Sequence, residues 1–182
     1  NVFCDKPVAT DFETLEKIKN CEKAKLAAMF ETRTEPAFKA AKKAIDGGRI
    51  GKVRMMDSRK SYKLGTRPEF YSSRSTYCGI IPWVAIHAID WMAWLSGEKY
   101  TAVNSAAVSR LDNEENGDMD ITSAAQFMMT NDVIATVTAD MFRPQSAPTH
   151  GDDRVRVVGT KGIIEITAGK ATIISDDIPG TA

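Results

Sequence analysis

A succession of strand-like runs after residue 100 is the feature that most constrains how this chain folds. Six such runs follow one another: TAVNSAAVSRL, DITSAAQFMMT, VIATVTADMF, RVRVVGT, GIIEITA and ATIISD. Asn131-Asp132 and Thr160-Lys161-Gly162 lie between runs and have the residue types of hairpin turns. Consecutive strands joined by short turns predict a largely antiparallel sheet.

The first hundred residues alternate between helix and strand patterns instead. The predicted elements are a helix from Thr10-Asp11 to Lys25, a strand at 26–33, a helix from Pro36 to Gly47-Gly48, a strand at 51–62, a polar loop at 63–79 and a buried helix from about Pro82 to Ser96-Gly97. Helices followed by many strands predict an α+β fold, in which a largely antiparallel open sheet carries helices packed on one face. The other face of such a sheet is suited to forming a dimer.

Composition excludes several classes of protein. The formal net charge is zero, with 24 basic and 24 acidic residues, so the basic excess of a nucleic-acid-binding protein is absent. No run approaches the roughly 18 apolar residues of a membrane span. Three sparse cysteines (Cys4, Cys21 and Cys78) fit a reducing cytoplasm, and the distant His87 and His150, without CxxC or HExxH, predict no metal site.

Two further observations concern what the sequence lacks. It has no GxGxxG, and therefore no glycine-rich cradle for dinucleotide phosphates. The chain opens with NVF, which reads like the end of a strand, and it ends in DDIPGTA just past a strand pattern. We expect a fragment of a longer protein, cut at both ends.

Two segments together resemble the glucose–fructose oxidoreductase / inositol dehydrogenase (Gfo/Idh/MocA-type) family. CDKPVAT at 4–10 resembles its E-K-P-x-A motif, with Asp5 in place of the usual Glu, and CGIIPWVAIHAIDW at 78–91 resembles its G-G-x-x-x-D-x-x-x-H-x-x-D segment. The resemblance implies an enzyme whose N-terminal Rossmann domain binds NAD or NADP. It also implies a C-terminal α+β domain that binds substrate and builds a homo-oligomer, a dimer or tetramer, through its sheet. Residues 1–10 would then be the tail of the missing domain, and 11–182 the α+β domain.

The same resemblance suggests the catalytic and cofactor-binding residues. Lys6 would contact substrate and cofactor and tune proton transfer, and His87 would be the general base in oxidation and the acid in reduction. Lys6, Pro7 and Arg33 are the candidate cofactor contacts. Without the motif, Lys6 reads as a surface lysine at a domain junction, and His87 as a buried histidine with a structural role.

The candidate substrate-binding residues carry more than one interpretation. Trp83 stands where the family has an aspartate, so it either stacks on a sugar or fills core volume. Asp90, three residues after His87, either orients the imidazole or forms a salt bridge with a neighbouring element. Arg67, Tyr71 and Arg74 belong to a loop that either binds a hydroxyl-rich ligand or is simply solvated. Lys60 and Tyr62, on the strand before that loop, are pocket candidates of lower rank.

The leading hypothesis is therefore the substrate-binding domain of an NAD(P)-dependent oxidoreductase acting on a sugar, inositol or related polyol. We expect the fragment alone to be inactive. One alternative is a non-catalytic homologue of the same fold that senses a sugar or nucleotide, which the tryptophan at position 83 favours. Another is an oligomerisation module only.

Overall fold

The computed structural model describes residues 1–176, which form nine strands and four α-helices. The strands are β1 (Val2–Cys4), β2 (Leu26–Ala28), β3 (Val53–Tyr62), β4 (Tyr100–Ser109), β5 (Thr122–Met129), β6 (Ile134–Asp140), β7 (Gly151–Gly159), β8 (Gly162–Thr167) and β9 (Lys170–Ser175). The helices are α1 (Phe12–Lys19), α2 (Pro36–Asp46), α3 (Arg74–Tyr77) and α4 (Ile86–Ser96), and a π-helical turn (Ile81–Ala85) leads into α4. Short 3-10 turns lie at Glu31–Thr34, Glu69–Ser72, Glu114–Asn116 and Thr130–Asp132.

Seven strands form one open sheet in the order β4-β5-β6-β3-β7-β8-β9. Every neighbouring pair in it is antiparallel except β3 and β6, which are parallel. The predicted largely antiparallel α+β sheet is therefore confirmed. Its strand order departs from a simple succession of hairpins, because β3 from the first half of the chain lies between β6 and β7. The connection from β6 to β7 must cross β3, so these two strands do not form a hairpin.

Helices α2 and α4 cover one face of this sheet, as the sequence predicts. Alternate residues of β3 face α4: Met56 is fully buried, and Ser58 Oγ accepts a hydrogen bond from Trp91 Nε1 at 2.6 Å. Trp91 and Leu95 of α4 are themselves fully buried. Burying large apolar side chains such as these contributes roughly 1.5–3 kcal/mol each to folding, and this layer forms the core of the molecule.

The element boundaries differ from the predicted ones at three places. Helix α1 ends at Lys19, well before the predicted Lys25. The strand expected at 26–33 ends at Ala28, because residues Glu31–Thr34 form a 3-10 turn. The segment 63–79, expected to be a polar loop, contains two short helical turns, because the completely buried Tyr77 anchors it to the core.

The stretch Arg74–Ser96 matches a membrane span in length and mean hydropathy, which the count of consecutive apolar residues did not show. Half of its most apolar window is buried inside the protein. The core helix of a folded domain passes the same test, so this match is weak evidence for a membrane span.

Strands β1 and β2 form a separate parallel pair, connected by α1. Helix α1 buries none of its residues against the rest of the chain, and Phe12 is 86% exposed. The segment up to Ala28 therefore forms a small unit beside the seven-stranded sheet. The boundary expected at residue 10 remains a prediction.

Candidate functional site

Lys6 extends from the end of β1 to the π-helical turn before α4. Its half-buried side chain donates a hydrogen bond from Nζ to the carbonyl oxygen of Trp83 at 2.5 Å, and the ammonium lies 5.4 Å from the centre of the Trp83 ring system. The Lys6-Pro7 peptide bond is cis. Burial lowers the pKa of Lys6, while Asp5 and Glu31 oppose that shift. The ammonium is thus held in a partly desolvated position.

The Trp83 carbonyl that accepts this bond belongs to the π-helical turn. In that turn the amide of Ile86 donates to the carbonyl of Ile81, five residues earlier, where an α-helix has a separation of four. The widened turn carries Trp83 and leads directly into α4, where His87 is the second residue. Lys6 is therefore bonded to the backbone one turn before His87.

His87 is buried, with 3% of its surface exposed. Its Nδ1 atom is buried and has no hydrogen-bond partner among residues 1–176, and its ring meets the edge of Phe30 at 6.1 Å. Burial, together with the nearby ammonium groups of Lys60 and Lys6, lowers the pKa of His87 to about 3. The imidazole is therefore neutral at physiological pH, and both lysines lie within electrostatic range of it.

Lys60, in the central strand β3, is the second cation beside His87. Its side chain is 5% exposed, and Nζ donates to Asp153 Oδ2 of β7 at 2.7 Å. The same ammonium lies 5.0 Å from the Tyr62 ring centre and 5.2 Å from the Trp91 ring system. Burial disfavours this charge, but Asp153 and Tyr62 outweigh burial and raise the pKa of Lys60. The lysine remains charged.

Sequence reasoning missed Asp153, although a signal for it was present. Val155 and Val157 of β7 are buried against the helices, and the period of two along a strand places Asp153 on the same face. Asp153 lines a cavity of about 420 Å³ with Lys60 and with Glu35, the residue before α2. The loop before β7 contributes Thr149 to the same cavity.

Trp83, Tyr71 and Arg67 lie together in an aromatic cluster beside Lys6. The Trp83 ring system is 5.6 Å from the Tyr71 ring and 5.4 Å from the Phe70 ring. Arg67 lies 5.6 Å from the Tyr71 ring centre and donates to the carbonyl oxygen of Lys63 at 2.7 Å. The structure thus brings three of the five predicted substrate residues next to the Lys6 end of the site.

Asp90 does not orient His87; it forms the salt bridge that was the other interpretation. Arg33 donates to Asp90 from Nε at 2.8 Å and also from Nη2. The guanidinium of Arg33, whose side chain is 42% exposed, also lies within 6 Å of the Phe30 and Trp94 rings. This pair ties the 3-10 turn Glu31–Thr34 to α4. His87 therefore has no carboxylate partner within residues 1–176.

Arg74 forms an ion pair with Asp120 and does not belong to the aromatic cluster beside Lys6. It donates to Asp120 Oδ1 at 2.5 Å, and Asp120 Oδ2 accepts from the backbone amide of Ile80 at 2.9 Å. Asp120 is 3% exposed. The guanidinium of Arg74 thus helps to hold the turn before the π-helical segment, and its contact with substrate stays a prediction.

The structure also bears on the metal and cysteine predictions. The part of the chain that is described, residues 1–176, contains no group of three His, Cys, Asp or Glu side chains that could hold a metal ion. Cys4, Cys21 and Cys78 are all free thiols.

Comparison with known proteins relates this arrangement to a family. Residues 38–165 match the model of the GFO/IDH/MocA C-terminal domain. The chain is 32% identical to an inositol 2-dehydrogenase of Rhizobium meliloti (strain 1021) over 167 residues. This aligned segment covers 90% of this chain and 48% of that protein. The chain thus spans about half the length of that relative.

Two solved structures extend the comparison. A protein from Thermotoga maritima is 44% identical with a TM-score of 0.92, covering 97% of this chain and 57% of the other. A levoglucosan dehydrogenase in complex with NADH and levoglucosan is 21% identical with a TM-score of 0.83, and the match covers 99% of this chain and 52% of that one. At this low identity the match shows a shared fold and nothing more. The family match spans more than half of the 182 residues, and the chain therefore belongs to the GFO/IDH/MocA family and contains its C-terminal domain.

Proposed function

We propose that the intact protein is an NAD(P)-dependent oxidoreductase that transfers hydride between nicotinamide and a sugar, inositol or related polyol, and that this chain binds the substrate. One observation carries the proposal: the ammonium of Lys6 is bonded to the π-helical turn that leads into α4, where it lies within electrostatic range of the neutral imidazole of His87. A cation and a neutral base close together are what oxidation of an alcohol requires.

His87 and Lys6 have different proposed roles in the transfer of the hydroxyl proton. Neutral His87 has a free lone pair with which to accept the hydroxyl proton, and the Lys6 ammonium stabilises the alkoxide as it forms. An imidazolium beside two ammonium groups is unfavourable, so the proton does not stay on His87. We propose that Lys6, whose pKa burial lowers, loses its own proton to solvent and then takes up the one on His87, so that one proton leaves the site for each alcohol oxidised.

The nicotinamide group supplies the hydride acceptor when it is bound. In residues 1–176 the only proposed contacts with it are Lys6, Pro7 and Arg33, because the glycine-rich phosphate cradle is not in this sequence. Arg33 uses Nε and Nη2 to hold Asp90 and keeps Nη1 for a ribose hydroxyl. We further propose that residues 1–28 complete the sheet of the domain that holds NAD or NADP, because within residues 1–176 strands β1 and β2 pair with each other and with no other strand.

The substrate would lie between the aromatic cluster and the Lys60 cavity. Trp83 and Tyr71 offer ring faces against which the C–H face of a sugar packs, and Arg67 offers donors for hydroxyl groups. Asp90 contributes by fixing Arg33.

We also propose that the protein is a cytoplasmic homo-oligomer, a dimer or tetramer, that pairs through the open face of its sheet. Exposed Met55, Ile134 and Ile174 lie on that face, together with the Arg156–Glu165 ion pair. Such a mixture of apolar and paired charged groups suits contact with a second copy of the chain. The three free thiols fit a reducing compartment.

A sugar- or nucleotide-sensing protein of the same fold is the second candidate. It is favoured by Trp83, which leaves His87 without the acidic partner that the resemblance led us to expect.

Kinetics of the intact protein separate the two candidates. A panel of sugars and polyols is assayed with NAD and with NADP by following nicotinamide absorbance. The proposal expects turnover that His87→Ala abolishes while the cofactor still binds, with His150→Ala as the matched exposed control. Specific binding of a sugar without turnover would establish the sensor instead.

A further inference from the structure

Lys60 connects the Lys6 and His87 pair to the 420 Å³ cavity. Its ammonium lowers the pKa of both His87 and Lys6, so it lies within electrostatic range of both groups. The same side chain lines the cavity together with Asp153. A cavity of this volume falls in the range of about 300–1,000 Å³ that is usual for small-molecule sites. The Lys60 ammonium also lies 5.2 Å from the ring system of Trp91, which is one turn after His87 on α4, so Lys60 adjoins both the His87 end of that helix and the cavity that Asp153 lines.

Asp153 has hydrogen-bonding capacity that the protein does not use. A carboxylate can accept about four hydrogen bonds. Among residues 1–176 Asp153 accepts one, from Lys60 Nζ at 2.7 Å, and its buried Oδ1 has no partner. Leaving a buried carboxylate oxygen without a donor is unfavourable, and a donor from a ligand relieves that cost.

The charges around the cavity narrow the chemistry of that ligand. Three carboxylates (Glu35, Asp152 and Asp153) and two cations (Lys60 and Arg143) line the cavity, and Lys60 offsets the charge of Asp153. An anionic group would be repelled by the excess of carboxylates, and an apolar group would leave Asp153 unsatisfied. A hydroxyl group both donates to a carboxylate and accepts from an ammonium, so it satisfies Asp153 and Lys60 at once.

We propose that Asp153, held in place by Lys60, is a specificity-determining residue that accepts a hydrogen bond from a hydroxyl of the polyol remote from the reacting carbon. This inference rests on the proposed function and adds to it a residue outside the sequence motifs. A site built to bind a substrate hydroxyl strongly rejects an analogue that lacks it, because the buried polar group then stays unpaired.

The test is Asp153→Asn in the intact protein. Lys60 retains the amide oxygen, so the second oxygen is replaced by an NH₂ group that donates and cannot accept. We expect KM for the polyol to rise about tenfold or more, with kcat changed less than about threefold. Asp46→Asn, at an exposed aspartate that ends α2 and does not line the cavity, is the matched control and should change neither constant.

Monodeoxy analogues of the polyol give the sharper measurement. The wild-type protein should lose about tenfold or more in kcat/KM for the analogue that lacks the recognised hydroxyl. Asp153→Asn should lose that discrimination and treat the polyol and this analogue alike. Unchanged KM and unchanged discrimination in a variant that turns over polyols would overturn the inference and leave the proposed function standing.

Two further measurements cover misfolding and the absence of turnover. If thermal unfolding shows that Asp153→Asn is destabilised, the neutral pair Lys60→Gln/Asp153→Asn replaces it and should show the same loss of discrimination. If the wild-type protein oxidises no polyol, the proposed enzymatic function fails, and calorimetric titration with the same polyols tests Asp153 alone. Weaker binding to Asp153→Asn would support its role; equal binding, or none to the wild type, would overturn it.

Discussion

The Lys6 ammonium and the Trp83 carbonyl oxygen are 2.5 Å apart, and this hydrogen bond ties the segment after β1 to the turn that precedes His87. The two residues are 77 positions apart in sequence. The Trp83 carbonyl belongs to the π-helical turn Ile81–Ala85, which leads directly into α4. Any change in Lys6 should therefore affect both the charge near the imidazole and the attachment of the turn.

Replacement of Lys6 should separate its chemical role from its structural one. In the intact protein, Lys6→Met removes the ammonium, and we expect kcat for polyol oxidation to fall about 100-fold or more. Lys6→Arg keeps the charge but cannot take part in proton transfer, because a guanidinium stays protonated, so it should not restore the rate. Steady-state kinetics measure both effects, with the exposed Lys25→Met as control. Full activity in Lys6→Arg would show that the residue contributes only charge.

The fold was largely predictable because its determinants are local. Strand alternation, the turn pair Asn131-Asp132 and the stop at Gly97 each act within a few residues, and the structure has the β5–β6 hairpin and the end of α4 at those places. The central position of β3 could not be predicted in the same way. It depends on pairing β3 with β6 and β7, partners about 80 to 100 residues away.

The site was predictable only where a motif marked it. Lys6 and His87 came from motif resemblance, and the structure bonds Lys6 to the turn that immediately precedes the helix of His87. The partners of Asp90 and Arg74 depended on which opposite charge the fold brought near. Asp153 lay outside both motifs, and only the inward alternation of β7 pointed to it.

His87 should make the stability of the protein depend on pH. Its pKa is about 3 in the folded state, against the ordinary value of 6.5 for a histidine in the unfolded chain. Between these values the unfolded chain binds the extra proton, so the stabilisation is complete above pH 6.5 and is lost as the pH falls toward 3. We expect this group alone to account for about 2 kcal/mol between pH 7 and pH 5.

Urea unfolding of the wild type and of His87→Gln at pH 7, 6 and 5 gives the unfolding free energy of each protein at each pH. The contribution of His87 is the difference between the two proteins in how steeply that free energy changes with pH. His87→Gln should show the shallower loss of stability on acidification. The exposed His150→Gln is the matched control and should keep most of the wild-type slope. Parallel curves for the wild type and His87→Gln would mean that the imidazole is not kept neutral by burial.

Asp120 should be a strong stability determinant although its partner Arg74 is half exposed. Asp120→Ala removes the ion pair and leaves the Ile80 amide without its acceptor, so we expect a loss of about 2–4 kcal/mol in unfolding free energy. Asp120→Asn keeps an acceptor for that amide and should lose less. Asp118→Ala, whose side chain is 61% exposed in its pair with Arg110, should cost less than about 0.5 kcal/mol by the same denaturant measurement.

The turn between β5 and β6 is open to stabilisation. Asn131 and Asp132 have φ values of 58° and 57°, in the left-handed region that costs an L-residue about 1–2 kcal/mol. Asn-Gly is the pair best suited to this two-residue turn, so Asp132→Gly should raise the unfolding free energy by about 0.5–1 kcal/mol. Asp132→Val, whose branched Cβ fits that region worst, should lower it by about 1 kcal/mol or more. Denaturant midpoints of the three proteins should fall in the order Gly, Asp, Val, and a glycine variant less stable than the wild type would show that the Asp132 side chain contributes more than its strained backbone costs.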